Sequence, residues 1–377
     1  MVGLNIPLDP ARTGREAMSL ETNLRRMIIG QDEAIAQIVN VYQIHLTGMS
    51  AQGRPVGNFL FLGPTGSGKT RIVEATAESL VSNPRAVVKI DCGEFQHSHE
   101  IAKLIGSPPG YLGHRETHPL LSQEALNQYH TENVKLSFVL FDEIEKASDA
   151  LWNLLLGILD KATLTLGDNR KVDFSLAMIF MTSNLGASEM NSILSPKLGF
   201  SAHVARDNAN VGLLDEAMAG QISRSGVEAA RKKFTPEFIN RLDKIVVFKP
   251  LGGEQLKKIL DIELSLVQQR IFNTGSGRAF VFSLSDATKN YLIEEGTDLK
   301  YGARHLKRAI ERLLVQPISN LIASDQVHGG DRIRVEFDEG TRSLRFAKEA
   351  ENLTVQDMTG LGDTQTTIPA VALSQAA

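Results

Sequence analysis

At 377 residues, with 42% hydrophobic and 22% charged residues, the chain has the length for two domains and the composition of an ordinary globular protein. A formal net charge of −4 supplies no basic field, which argues against nucleic acid as the main partner. No apolar run approaches the roughly 20 residues of a membrane span, and the N-terminus carries neither a basic-then-apolar leader nor a lipidation motif. The expectation is a cytoplasmic protein with no membrane partner. The single cysteine, Cys92, rules out an internal disulfide and a cysteine metal cluster, and its apolar strand context marks it as a small core residue.

In chain order, residues 1–15 read as an irregular lead-in with Pro7 and Pro10, followed by a helical segment over 16–27. Strand-like runs over 58–62, 87–91, 138–141, 177–182 and 244–248 then alternate with helical patterns, the signature of an α/β fold: a parallel sheet with helices on both faces. Pro250-Leu251-Gly252-Gly253 is the best boundary. It ends a large domain over 16–250 and opens a small, mainly helical α+β domain over 251–348. The small domain should hold helices over 254–272, 287–295 and 304–323 and close with strands over 332–337 and 343–346. Residues 349–377 are polar and lack periodicity, and read as a flexible tail.

The chemistry sits at the first strand-to-helix junction. Gly63-Pro64-Thr65-Gly66-Ser67-Gly68-Lys69-Thr70 fits the G-x-x-x-x-G-K-[ST] phosphate-binding loop at every fixed position. Backbone N–H groups and a helix N-terminus would surround the phosphates of a nucleoside triphosphate, Lys69 would neutralise them, and the Thr70 hydroxyl would ligate Mg²⁺. The run Phe138-Val139-Leu140-Phe141-Asp142-Glu143 is a Walker B pattern, a buried strand delivering two carboxylates to the sheet edge. Asp142 would hold Mg²⁺ through water and Glu143 would polarise the attacking water.

Six motifs in order carry a family resemblance: Ile28-Ile29-Gly30-Gln31-Asp32-Glu33-Ala34, the phosphate loop, Phe141-Asp142-Glu143-Ile144-Glu145-Lys146, Met181-Thr182-Ser183-Asn184, Pro236-Glu237-Phe238-Ile239-Asn240-Arg241-Leu242-Asp243 and Tyr301-Gly302-Ala303-Arg304. Over residues 16–346 the chain resembles the second AAA+ ring module of the Clp family of protein unfoldases. The resemblance implies ATP as the nucleotide, a P-loop AAA+ sheet with a small lid domain, and a homo-oligomeric ring, expected to be a hexamer, acting on protein substrates. It also assigns roles. Asn184 resembles sensor 1, a neutral amide that orients the attacking water. Arg241 matches the arginine finger offered to the neighbouring subunit's nucleotide, the alternative being a local salt bridge to Asp243 or Glu237. Arg304 matches sensor 2, reaching the phosphates within its own subunit, the alternative being a helix-surface arginine. Ile28 and Ile29 would contact adenine, or belong to the core.

The turn-rich stretch Gly106-Ser107-Pro108-Pro109-Gly110-Tyr111-Leu112-Gly113 resembles the family's pore loop, with Tyr111 and Leu112 gripping an unfolded chain; the alternative is an aromatic tucked under its own turn. The next residues, His114-Arg115-Glu116-Thr117-His118, depart from the family's second aromatic and acidic residues. His97, His99, His114 and His118 match no usual metal-ligand spacing and read as solvated loop residues. Within a polar segment over 188–210, Lys197-Leu198-Gly199-Phe200 resembles the loop by which related unfoldases dock on a ClpP-type peptidase; equally, Leu198 and Phe200 would pin the segment to the body. The ClpB disaggregase type lacks that loop. The resulting expectation is an ATP-driven unfoldase threading polypeptide through a hexameric pore and feeding a ClpP-type peptidase or working with an adaptor. The alternatives are a peptidase-independent disaggregase or remodelling ATPase, a nucleotide-gated adaptor, and a nucleic-acid motor, the last disfavoured by charge.

Overall fold

The computed structural model describes residues 9–107, 119–194, 216–273, 279–297, 302–354 and Met358. These divide into two compact units. One holds the described residues up to Lys249 apart from Thr65–Ser67; the other holds those three residues and the described residues from Pro250.

The first unit is built on a five-stranded parallel sheet. Its strands are β1 (Gly57–Leu62), β2 (Val87–Asp91), β3 (Ser137–Asp142), β6 (Ala177–Ser183) and β7 (Lys244–Val247), in the order β2-β3-β6-β1-β7. A short antiparallel hairpin, β4 (Thr163–Thr165) and β5 (Lys171–Asp173), precedes β6. The central strand β6 and its neighbour β1 are buried at every position, which is why they read as unbroken apolar runs, whereas edge strand β2 mixes buried and exposed positions. Stacked and tilted Phe59, Phe61, Phe180 and Phe248 rings fill one face of the sheet beneath the helices Arg15–Met27, Asp32–Leu46 and Lys69–Val81. The expected ordering of strands and helices is therefore observed, with the β4–β5 hairpin as an addition that its short, half-polar strands kept out of the sequence reading. The region expected to be polar from residue 188 begins as the helix Ala187–Leu194, anchored by a fully buried Met190.

The second unit is a small α+β domain. Helices Gly253–Asn273, Asp286–Gly296, Ala303–Ile310 and Gln316–Ala323 accompany a three-stranded sheet, β8 (Val281–Leu284), β9 (Arg332–Asp338) and β10 (Ser343–Ala350), in the order β10-β9-β8. The single helix expected over 304–323 is interrupted by a π turn over Glu311–Val315, where Pro317 follows and cannot donate to the preceding turn. β10 continues past the residue where the tail was expected to start. Leu353 N–H then donates to Gly330 O at 2.8 Å, and Met358 is 3% exposed.

Candidate active site

β1 ends where the phosphate loop begins, and the loop's geometry needs its glycines. Gly63 has φ +145°, and a Cβ there would lie 2.6 Å from Phe248 O. Gly68 has φ +100°, a left-handed conformation that favours glycine, and a Cβ there would meet nothing within 4 Å. The helix Lys69–Val81 starts without a side-chain cap and with no acidic residue in its first turn, so the positive end of its dipole favours an anion. Lys69 is buried, and its Nζ donates to Gly63 O (2.7 Å), Pro64 O (2.9 Å) and Asn184 Oδ1 (3.0 Å).

Parallel pairing brings the ends of β3 and β6 beside this cation. Thr182, buried in β6, donates its hydroxyl to Asp142 Oδ1 and accepts from Glu143 N–H at 3.1 Å, so one side chain fixes both acidic residues. Glu143 has φ +55°, a strained conformation for a residue with a Cβ, as it turns from the strand into Ile144–Lys146. Its carboxylate is held from two sides: Asn184 Nδ2 donates to Oε1 at 3.4 Å, and Lys146 Nζ pairs with Oε2 at 2.5 Å. That bond to Glu143 raises the Lys146 ammonium above the usual lysine range. Asn184 N–H in turn donates to Glu145 Oε1 at 3.0 Å, while Glu145 Oε2 is buried without a hydrogen-bond partner among the described residues. Asn184 thus touches the phosphate-loop lysine with its oxygen and the Walker B glutamate with its nitrogen. Cys92 lies fully buried at the end of β2; burial, then the charges of Asp91, Asp142, Glu145 and Glu143, push its thiol well above the ordinary range.

Lys69, Asp142, Glu143 and Asn184 are therefore brought together, and Thr70 begins the same helix as Lys69. Arg241 pairs with Glu237 at 2.8 Å and with Asp160 at 3.9 Å, while Asp243, the other expected partner, faces Arg54 at 3.7 Å. Arg304 is an exposed residue in the first turn of the helix Ala303–Ile310 of the second unit. Ile28 is 6% exposed and belongs to the core of the first unit; Ile29 is half-buried. Tyr111, Leu112, Leu198, Gly199, Phe200, His114, His118 and Tyr301 lie outside the described residues. His97 and His99 stack ring on ring, and among the described residues no cluster of His, Cys, Asp and Glu suits a metal ion. Sequence reasoning gave no role to Thr182, Glu145 or Gln31. The signal for Thr182 was a hydroxyl in an otherwise apolar strand. Gln31 is 4% exposed and clamps Lys249 through both backbone groups, Nε2 to O at 2.9 Å and N to Oε1 at 3.2 Å.

Residues 54–245 match the model of the AAA domain (Cdc48 subfamily), and residues 251–335 that of the C-terminal, D2-small domain of ClpB protein. Among similar proteins, the chaperone protein ClpB of Bdellovibrio bacteriovorus is 38% identical over 327 residues, covering 87% of this chain and 34% of that protein. Heat shock protein 100 of Trypanosoma brucei brucei is 36% identical over 338 residues, 89% of this chain and 35% of that one. The chain thus spans about a third of the length of these curated relatives. A closed-state cryo-EM reconstruction of Hsp104 with ATPγS and FITC casein superposes with a TM-score of 0.69 at 28% identity, covering 88% of this chain and 52% of that one. A β1-loop-helix junction that cradles a buried lysine, two acids at the end of the neighbouring β3, and both family models in sequence lead to one conclusion: the chain belongs to the AAA domain family, as an ATP-binding, ClpB-like ATPase module followed by its small domain.

Proposed function

We propose that this chain is the motor of an ATP-driven protein-remodelling chaperone of the disaggregase type, working as a hexameric ring that threads polypeptide through its centre. The observation that carries the reading is the chain of hydrogen bonds from Lys69 through Asn184 to Glu143, which ties the phosphate-binding cation to the residue that would activate water. The names of the relatives, chaperones ClpB and heat shock protein 100, support the disaggregase over the peptidase-feeding reading. In the proposed cycle Lys69 and the helix N-terminus bind the β- and γ-phosphates, and Glu143, held by Asn184 and Lys146, takes the proton of the attacking water. Thr70 and Asp142 are half-buried hydroxyl and carboxylate donors of the hard type that Mg²⁺ prefers, and they would hold the ion, which supplies charge neutralisation at the phosphates. Arg241 would complete the neighbouring subunit's site, and Arg304 would report nucleotide to the small domain within its own subunit.

The test is ATP-dependent loss of fluorescence from a stably folded reporter bearing an unstructured tail, comparing the chain with its Tyr111→Ala variant. Loss requiring both ATP and Tyr111 is the expected result; vigorous ATPase without any loss would refute threading. A second reading, docking on a ClpP-type peptidase, is favoured by one observation, the Lys197-Leu198-Gly199-Phe200 sequence. It predicts a peptidase association abolished by Phe200→Ala with ATPase intact.

A further inference from the structure

We propose that Arg54 and Asn58 are positioning residues for Arg241, fixing its backbone so that its guanidinium is free to exchange partners. The inference rests on the reading of Arg241 as the group offered to a neighbouring nucleotide site. The carbonyl of Arg241 accepts two hydrogen bonds, from Arg54 Nη2 at 3.0 Å and from Asn58 Nδ2 at 3.2 Å. Asn58, fully buried at the start of β1, also donates its backbone N–H to Asp243 Oδ2 at 2.8 Å, while Asp243 N–H donates to Asn58 O at 2.9 Å. Its Nδ2 further reaches Leu159 O at 3.2 Å, and Arg54 Nη1 faces Asp243 Oδ1 at 3.7 Å. The backbone at and just after Arg241 is thus locked to the strand whose other end becomes the phosphate loop.

The side chain of Arg241 is held differently. Its partners are the surface carboxylates of Glu237 and Asp160, with side chains 63% and 48% exposed, and the Glu237 backbone O at 3.4 Å; the Arg241 side chain is itself 21% exposed, and pairs to such solvent-facing carboxylates are weak enough to give way to a more highly charged anion. A fixed backbone with a loosely tethered guanidinium is the arrangement required of a side chain that must swing from a resting pair to a phosphate while keeping its origin in place. The clamp is also costly for a merely structural one. Asn58 Oδ1 and Arg54 Nε are both buried with no hydrogen-bond partner among the described residues, a penalty that an apolar packing of the same space would avoid.

The experiment measures steady-state ATPase of the full chain for Arg54→Met, Arg54→Lys, Asn58→Ser and Arg241→Ala, with circular dichroism to verify folding. Arg54→Met and Asn58→Ser should lower kcat roughly tenfold with KM for ATP within about twofold, because each subunit's own phosphate loop is untouched, and Arg54→Lys should recover most of the loss. The decisive readout is mixing. An excess of Glu143→Gln subunits, hydrolytically silent but with a properly held Arg241, should bring the turnover of Arg54→Met subunits up to that of wild-type subunits mixed in the same ratio. A persistent deficit in the mixture, or no kcat loss in Arg54→Met while Arg241→Ala is impaired, would overturn the inference alone. Full kcat in Arg241→Ala would overturn the reading of Arg241 and the inference with it. If Asn58→Ser fails to fold, the half-exposed Arg54 carries the test by itself.

Discussion

Replacing Thr182 by Val removes one hydroxyl and little else, and the structure allows the consequence to be sized. That hydroxyl donates to the Asp142 carboxylate and accepts from Glu143 N–H. A hydrogen bond to a charged group is worth about 1.5–3 kcal/mol and the bond from the Glu143 N–H about 0.5–1.5 kcal/mol, while the added methyl in a site 1% exposed returns about 0.8 kcal/mol, leaving a net loss of about 1–4 kcal/mol. For a unit of this size that corresponds to roughly 2–16 °C in the melting temperature of the large domain. Activity should suffer more than stability, since both acidic residues lose their common anchor and misplacement of a reacting group by about 1 Å costs about 10²-fold. The expected kcat for ATP hydrolysis is lower by roughly 10- to 100-fold. Thr182→Ser, which keeps the hydroxyl, should hold most of both. Calorimetry and a coupled ATPase assay on the two variants provide the measurement. A Val variant that melts and turns over like the parent would show that Thr182 does not organise the acidic pair.

Glu143→Gln should bind ATP and assemble normally but hydrolyse it at least roughly 100-fold more slowly, measured by nucleotide titration beside steady-state turnover; unimpaired turnover would remove Glu143 from the proposed chemistry. Gly63→Ala forces a Cβ against the Phe248 carbonyl at a positive φ, so it should cost more than about 2 kcal/mol by thermal or urea denaturation and weaken nucleotide binding. Cys92, buried and with its thiol pushed far up, should resist a thiol-exchange reagent between pH 7 and 9 and react only on unfolding. Raising the pH toward the shifted value should increase the reactive thiolate, so rapid labelling of the native chain at pH 8 would contradict the burial.

The sheet was legible because its three inner strands are buried on both faces and so announce themselves as apolar runs ending in chemistry: Leu62 before the loop, Phe141 before Asp142-Glu143, Ser183 before Asn184. The phosphate loop and the Walker B acids were legible because phosphate binding constrains residue type at fixed spacing. Less visible were features that depend on strand order. β6 lies between β1 and β3, and only that placement makes Thr182 a neighbour of Asp142 and Asn184 a neighbour of Lys69, although they are separated by 40 and 115 residues. The partner of Arg241 was an open choice between Glu237 and Asp243 at similar sequence distance. The choice falls to Glu237 because Asp243 is already taken by the Asn58 backbone N–H and Arg54.

On the proposed reading, the same neighbourhood would couple binding to hydrolysis without any long-range device. The Lys69 ammonium is satisfied within the protein by two loop carbonyls and Asn184 Oδ1. A neutral acceptor loses to a phosphate oxygen for the same cation, since charge-assisted bonds are roughly twice as strong. A phosphate that binds Lys69 competes with the two loop carbonyls and with Asn184, whose amide nitrogen is bonded to Glu143. An amide is planar, so its oxygen and nitrogen turn together, and a change at the lysine end is felt at the glutamate end. In the proposed cycle, arrival of nucleotide at Lys69 and a change at the Glu143 carboxylate would be linked through this one side chain, located where the ends of β1, β3 and β6 meet.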